Sequence, residues 1–413
     1  MAEGKLSSSS AIFPGPRAAL IGYTGYVGSN LLAQFSPCRL KDHQTEGLGY
    51  KALFNRENIA SIQEEVHARD IDTIVCAGAP GFKLGANLLD MDLQGNQYDD
   101  TKAVDDLISD LDRIRVDCCR TVTKEAFAYN ENEISNSTGV SGPNQTPKQK
   151  KLFILISTIS VYSVCSDSES EALEDSNLKE HGSDFYAKHV ISSNDVHTLD
   201  ETRDVWTRPG PLSDGGLSDT TYGRNRARLE YFVKGKFGAA ESEWDYLLIR
   251  LPGIFGINMR KNYIFDLLTK SPWRNKINLN TYHQWYPLRR LTEDIKKVVL
   301  HNRTAKRCDR IRTVNFFPEP LKTERIIDVL FPEQRAEVAM KNSETPFVDD
   351  VRTKEGWLWD SNVESCEKDE SVNCSKTTYC MSAEESLREL ADFKMWYGTR
   401  DTSAEYLAMT TKS

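Results

Sequence analysis

The chain contains no run of roughly 18 apolar residues, so nothing in it reads as a membrane-spanning helix. It has no Cys-x-x-Cys pair: nine cysteines lie scattered at Cys38, Cys76, Cys118, Cys119, Cys165, Cys308, Cys366, Cys374 and Cys380. An odd count without metal-ligand spacing reads as reduced thiols in the cytoplasm, not as a zinc site or a disulfide framework. Basic charge is short as well. Against 61 Asp and Glu stand 52 Lys and Arg, leaving a net charge of −9 at pH 7. That argues against nucleic-acid binding, which needs a basic face for the phosphate backbone, and leaves room for a local basic pocket. Residues 1–16 are Ser-rich but lack both the apolar core of a signal peptide and an Arg-rich amphipathic pattern. A disordered tail is expected there.

What is present suits a folded α/β chain. The 413 residues are 39% hydrophobic, 9% aromatic and 27% charged, enough for one large domain plus a smaller one. Apolar runs at 17–21, 51–54, 71–77, 152–156, 245–250 and 312–316 predict strands. Between them, residues 58–68, about 92–116, 222–237 and 292–302 read as helices, as does the face carrying Val27, Leu31, Leu32 and Phe35. Such alternation implies right-handed βαβ units and a doubly wound parallel sheet. Two polar stretches, 120–151 and 163–220, interrupt the rhythm and are read as insertions into that one fold. A closing helix is announced by a capping box, Ser382 with Glu385.

The most informative motif is Gly22-Tyr-Thr-Gly25-Tyr-Val-Gly28, between the first strand and the first helix. Gly22 permits the tight turn, Gly25 lets backbone approach a pyrophosphate, and Gly28 lets helix and strand pack closely. The helix start then offers N–H groups and a positive dipole end to the phosphates. This makes Gly22, Thr24, Gly25, Tyr26, Val27 and Gly28 candidate cofactor-binding residues, in a Rossmann-type domain over 17–255. At the end of the second strand, a carboxylate would receive the ribose 2′-hydroxyl of NAD. Asn55 and Arg56 stand there instead, so the cofactor is read as NAD(P), leaning to NADP, with Glu57 beside them as a counterweight.

Three more motifs follow in order: Ser157-Thr158-Ile-Ser160-Val-Tyr162, Tyr222-Gly-Arg-Asn-Arg226, and Arg250-Leu-Pro-Gly253-Ile-Phe-Gly256. With the glycine turn, they make the chain resemble the NAD-dependent epimerase/dehydratase family, the extended short-chain dehydrogenases, from about residue 17 to 332. The resemblance implies that Thr158 orients a substrate oxygen and that Tyr222 is the acid/base. It also implies that small residues at Ala77, Gly78 and Ala79 line the dinucleotide. Where the family has lysine after Tyr-x-x-x, this chain has Arg226. A phenol ionises at about pH 10, so a base working near neutrality needs a cation close by. One helical turn separates residues 222 and 226, so the guanidinium can lie near the ring oxygen and its fork can reach ribose hydroxyls. The bulk of arginine puts turnover, not cofactor binding, in question.

The implied reaction is hydride transfer at a hydroxyl or carbonyl carbon of a sugar or sugar-nucleotide-like substrate, with a smaller lobe over 256–413 on the substrate side. Arg289, Arg290, Arg260 and Lys261 are the basic groups available for a substrate phosphate, and His283 is read as structural. Two other readings stay open: a non-catalytic dinucleotide sensor, and a scaffold acting through its acidic insertions. A homodimer is an open option that the resemblance raises.

Overall fold

The computed structural model describes residues 17–35, 50–79, 101–116, 150–161, 221–239, 242–259, 262–305 and 309–338, with 352, 353, 355, 358, 359 and 379–399. In chain order these form β1 (Ala18–Ile21), α1 (Tyr26–Gln34), β2 (Tyr50–Phe54), α2 (Ile62–Ala68) and β3 (Thr73–Cys76). Next come α3 (Thr101–Asp112), β4 (Lys151–Thr158), α4 (Thr221–Phe237), β5 (Trp244–Leu251) and β6 (Gly253–Phe255). Then follow α5 (Tyr263–Thr269), β7 (Tyr282–His283), β8 (Trp285–Pro287), α6 (Leu291–Thr304) and β9 (Thr313–Asn315). The last are β10 (Leu321–Lys322), α7 (Thr323–Leu330) and α8 (Ala383–Thr399).

β2, β1, β3, β4, β5 and β9 make one six-stranded sheet in that order, parallel throughout. Every residue of β1, β3 and β5 is buried, as expected where helices cover both faces of a parallel sheet. Alternation along β4 sorts the core: Phe153 and Leu155 face α2, α3 and α4, while Ile154 and Ile156 face α1 and α6. On the first face Phe153 stacks on Phe237 of α4 with centroids 4.2 Å apart. Each such ring or large aliphatic contributes roughly 1.5–3 kcal/mol by leaving water. A third core gathers β6 and β8 with α5, α7 and α8, around Phe255, Leu267, Ile327 and Phe393.

This is the doubly wound α/β fold that the strand–helix alternation predicts. β2 lies on one side of β1 and every later strand on the other, so the winding reverses between β1 and β3. Ligands of such sheets bind at the carboxyl ends of the strands where the order reverses.

Several details differ from expectation. The helix expected at 58–68 opens as a 3-10 turn, Ile59–Ser61, before α2. Of the helix expected at about 92–116, α3 covers Thr101–Asp112, and the first nine positions lie outside the described residues. The tail at 1–16 and nearly all of both insertions also fall outside them. α6 and β9 come from beyond residue 255 yet belong to the sheet and its core, so the sheet layer is not confined to 17–255. The capping box is present: the Ser382 N–H donates to a Glu385 carboxylate oxygen (3.1 Å) and the Glu385 N–H to the Ser382 hydroxyl (3.2 Å). Among the described residues no helix is long and apolar enough to cross a membrane.

Candidate cofactor and catalytic site

The glycine turn is tightly built. The Gly22 N–H donates to the Phe54 carbonyl (2.6 Å), which ties the end of β1 to the end of β2. Gly22 sits at φ +80°, and a Cβ there would overlap the backbone of Gly78 and Ala77 beyond β3. A Cβ on Gly28 would overlap the Gly22 carbonyl group. So Gly22, Gly28 and Gly78 allow strand, helix and neighbouring strand end to meet without side chains between them. Gly25 does something else. Its N–H closes the turn onto the Gly22 carbonyl at 2.9 Å, it is exposed, and as the N-cap of α1 it brings no side chain to the first helical turn. The helix start is thus left to whatever ligand arrives. Thr24 is exposed beside it, and Tyr26 and Val27 are half-buried.

At the end of β2, Asn55 is occupied with its own loop. Its side-chain oxygen accepts from the N–H groups of Glu57 (2.9 Å) and Asn58 (3.2 Å), and its own N–H donates to the Asn58 side chain (2.6 Å). Asn55 therefore shapes the turn, while Arg56 and Glu57 are both presented to solvent from it.

β1, β3 and β4 are aligned at Ile21, Cys76 and Leu155, and β4 runs three residues further to end at Thr158. The half-buried Thr158, the glycine turn and Ala77, Gly78 and Ala79 thus share the carboxyl edge of adjacent strands. α4 packs over β4 and over the 3-10 turn that follows it. Tyr222, Arg226 and Glu230 recur at four-residue spacing, on one face of that helix. Tyr222 is half-buried and Arg226 is buried at 2% exposure. The guanidinium carbon lies 4.4 Å from the centroid of the Tyr222 ring, over its face. Spacing suggested a charge close to the phenol, and the flat guanidinium lies over the face of its ring. Its field also reaches Cys76. Burial pushes that thiol up to about 11, against smaller opposing pulls from the Gly78 backbone and from Arg226. Cys76 is thus an inert core thiol that marks how near Arg226 stands to the end of β3.

Two groups escaped the sequence reading. Arg250 was visible only as part of a motif, yet it is 1% exposed and paired at 2.8 Å with Glu230, itself wholly buried. The signal was there: a charge inside the apolar run of β5, and a glutamate one turn beyond Arg226. Asn30 is the second. Fully buried on α1, it donates to the carbonyls of Tyr26 (2.8 Å) and Ile257 (2.7 Å) and accepts from the Ile257 N–H (3.0 Å). A polar residue beside Leu31 was the available hint.

Of the expected phosphate-binding arginines, Arg289 is engaged elsewhere: it is buried and pairs with Glu389 (2.5 Å) and Asp392 (2.8 Å) of α8. Those pairs tie α8 to the start of α6, so Arg289 is not the available cation that the sequence suggested. Arg290 is half-buried, 3.9 Å from the buried Asp294 and 4.0 Å from Glu385. Arg260 and Lys261 lie outside the described residues. His283 is half-buried, its ring 5.5 Å from that of Tyr263, and the buried Gln284 donates to the Pro318 carbonyl at 2.6 Å.

No family model matches the chain, and no curated protein does. Solved structures do. TunA, an NAD-dependent NDP-hexosamine 5,6-dehydratase of tunicamycin biosynthesis, is 14% identical over 93% of this chain and 98% of its own, with a TM-score of 0.45. A UDP-galactose 4-epimerase is 13% identical over 95% of this chain and 99% of its own, with a TM-score of 0.44. WbmG from Bordetella bronchiseptica, in complex with NAD and UDP, is 11% identical over 82% and 83%, with a TM-score of 0.42. Structural neighbours across most of the chain are NAD-dependent epimerases and dehydratases. At these identities and TM-scores the chemistry of this chain has to be read from its own side chains.

Proposed function

We propose that the chain is an NAD(P)-dependent enzyme of the extended short-chain dehydrogenase type, acting at a hydroxyl or carbonyl carbon of a sugar or sugar-nucleotide-like substrate. The observation that carries this is the Tyr222–Arg226 stack, 4.4 Å deep, on a helix packed at the sheet edge that also holds the glycine turn. Gly22, Gly25 and Gly28 suit a pyrophosphate, because added Cβ atoms at Gly22 and Gly28 would fill the space that brings helix and strand together. Thr24, Tyr26 and Val27 complete that turn, and Ala77, Gly78 and Ala79 wall the dinucleotide without bulk. The dinucleotide, when bound, supplies the hydride acceptor and donor. Tyr222 takes or returns the substrate hydroxyl proton, Thr158 holds the same oxygen by a hydrogen bond, and Arg226 keeps positive charge on the phenol and grips the ribose. Arg56, exposed after a turn built by Asn55, favours a 2′-phosphate and so NADP. Residues 256–413, apart from α6 and β9, form the substrate side.

A second reading is a dinucleotide sensor that binds but does not turn over. It is motivated by Arg226, which stands where the family has lysine. The two are separated by titrating purified protein with NADH and NADPH by fluorescence and assaying sugar-nucleotide turnover. The leaning to NADP expects NADPH to bind at least about tenfold tighter, with Arg56→Ala erasing the difference, while tightly held NAD suits an epimerase. The enzyme reading expects Tyr222→Phe to lower turnover by about a hundredfold or more at unchanged cofactor affinity. Binding with no turnover of any sugar nucleotide favours the sensor; no binding of either nucleotide sinks both.

A further inference from the structure

On the α4 side of β4 and β5, beside an apolar core, three buried polar side chains meet. Ser157 and Arg250 are direct partners in the β4–β5 ladder, so both leave the same face of the sheet. Glu230 of α4 comes down onto them. All three are buried. One carboxylate oxygen of Glu230 accepts from the Ser157 hydroxyl and from the Arg250 Nε–H (3.2 Å), and the other accepts from the Arg250 Nη2–H (2.8 Å).

Such a trio is not the cheapest way to fill the space. A carboxylate and a guanidinium taken out of water lose hydration that even a forked pair barely recovers, and apolar residues of similar volume often serve stability as well. What the trio adds is direction, because a fork accepts one rotation and one height of the helix above the strands. Its place in the chain makes that direction matter. Ser157 precedes Thr158, and Glu230 stands one turn from Arg226 and two from Tyr222.

We propose that Glu230, gripped by Ser157 and Arg250, is a positioning residue: the buried fork fixes Tyr222 and Arg226 relative to Thr158. This rests on the oxidoreductase reading of those three residues only for its catalytic consequence. The double variant Glu230→Gln/Arg250→Met removes both charges together, so the fold is expected to survive with a melting temperature near that of wild type. Its crystal structure is expected to show the Tyr222 ring displaced relative to Thr158. Turnover is expected to fall about tenfold or more, with substrate KM within about twofold. Ser157→Ala is expected to give a smaller loss of kcat that Ser157→Thr recovers, and this pair decides the matter if the double variant does not fold. A Tyr222 ring unmoved relative to Thr158 in the folded double variant, or a Ser157→Ala loss of kcat that Ser157→Thr fails to recover, overturns the proposal. A wild type without turnover in which the double variant still moves Tyr222 relative to Thr158 overturns the oxidoreductase reading and leaves the positioning in place.

Discussion

Gly28 and Gly25 of the turn answer differently to one added methyl group. At Gly28 it would be driven into the Gly22 carbonyl, and the backbone of β1 cannot yield without breaking the sheet. Gly28→Ala is therefore expected to lose about 3 kcal/mol or more, or to fail to fold, in a urea titration. Gly25 has an ordinary negative φ, and a methyl there would stand 3.2 Å from one oxygen, so Gly25→Ala should stay within about 1 kcal/mol of wild type. Its cost should appear instead as weaker binding of NADPH in a fluorescence titration. Cys76 makes a pH prediction. Its folded value is raised to about 11 by burial, so the unfolded chain loses the thiol proton first as the solution becomes alkaline. The stability from keeping this thiol neutral is whole below the unfolded value and is lost as pH rises toward about 11. Cys76→Ala should flatten the fall of denaturation midpoint over that window, whatever it costs in packing at neutral pH. An equally steep fall in the variant would show that other buried groups, such as Tyr286 and Cys380, carry it.

Among the elements, α1 is linked to the loop after β6 chiefly by the buried side chain of Asn30. Asn30 satisfies both the N–H and the carbonyl of Ile257, and Asn30→Ala would leave those groups buried and unpaired. A loss of about 2–4 kcal/mol is expected by urea denaturation; a loss below about 1 kcal/mol would mean that water replaces the amide. The strands of the sheet and α1, α4 and α6 were legible in the sequence because each is a long apolar or periodic segment bounded by glycine or polar turns. The short pieces β6, β7, β8 and β10 were not, since each is two or three residues whose pairing depends on partners 30 or more positions away. α5 and α7 bury Ile264, Leu267, Ile326 and Ile327 in a core assembled from distant segments, and no local pattern announces such a core. The site was legible to the same degree. Glycine spacing and the Tyr222–Arg226 interval are local, whereas the Glu230–Arg250 pair and the engagement of Arg289 by α8 join residues 20 and about 100 positions apart.

For the molecule as a whole, α8 is the piece that completes the third core. Phe393 is fully buried there, 5.5 Å from the ring of Phe255, and Arg289 is held by Glu389 and Asp392. Phe393→Ala is expected to cost about 3–5 kcal/mol, read as a lowered melting temperature. An unchanged melting temperature would mean that the helix docks without that ring. Among the described residues, the core between α2, α3, α4 and the sheet draws on residues 19–248, whereas the third core includes Phe393. A chain emerging from the ribosome amino end first can therefore bury most of one side of its sheet while the other lobe still lacks its closing piece. For that interval Phe255, Trp285 and Ile327 stand uncovered, and a chaperone or a neighbouring nascent chain would meet them before α8 does.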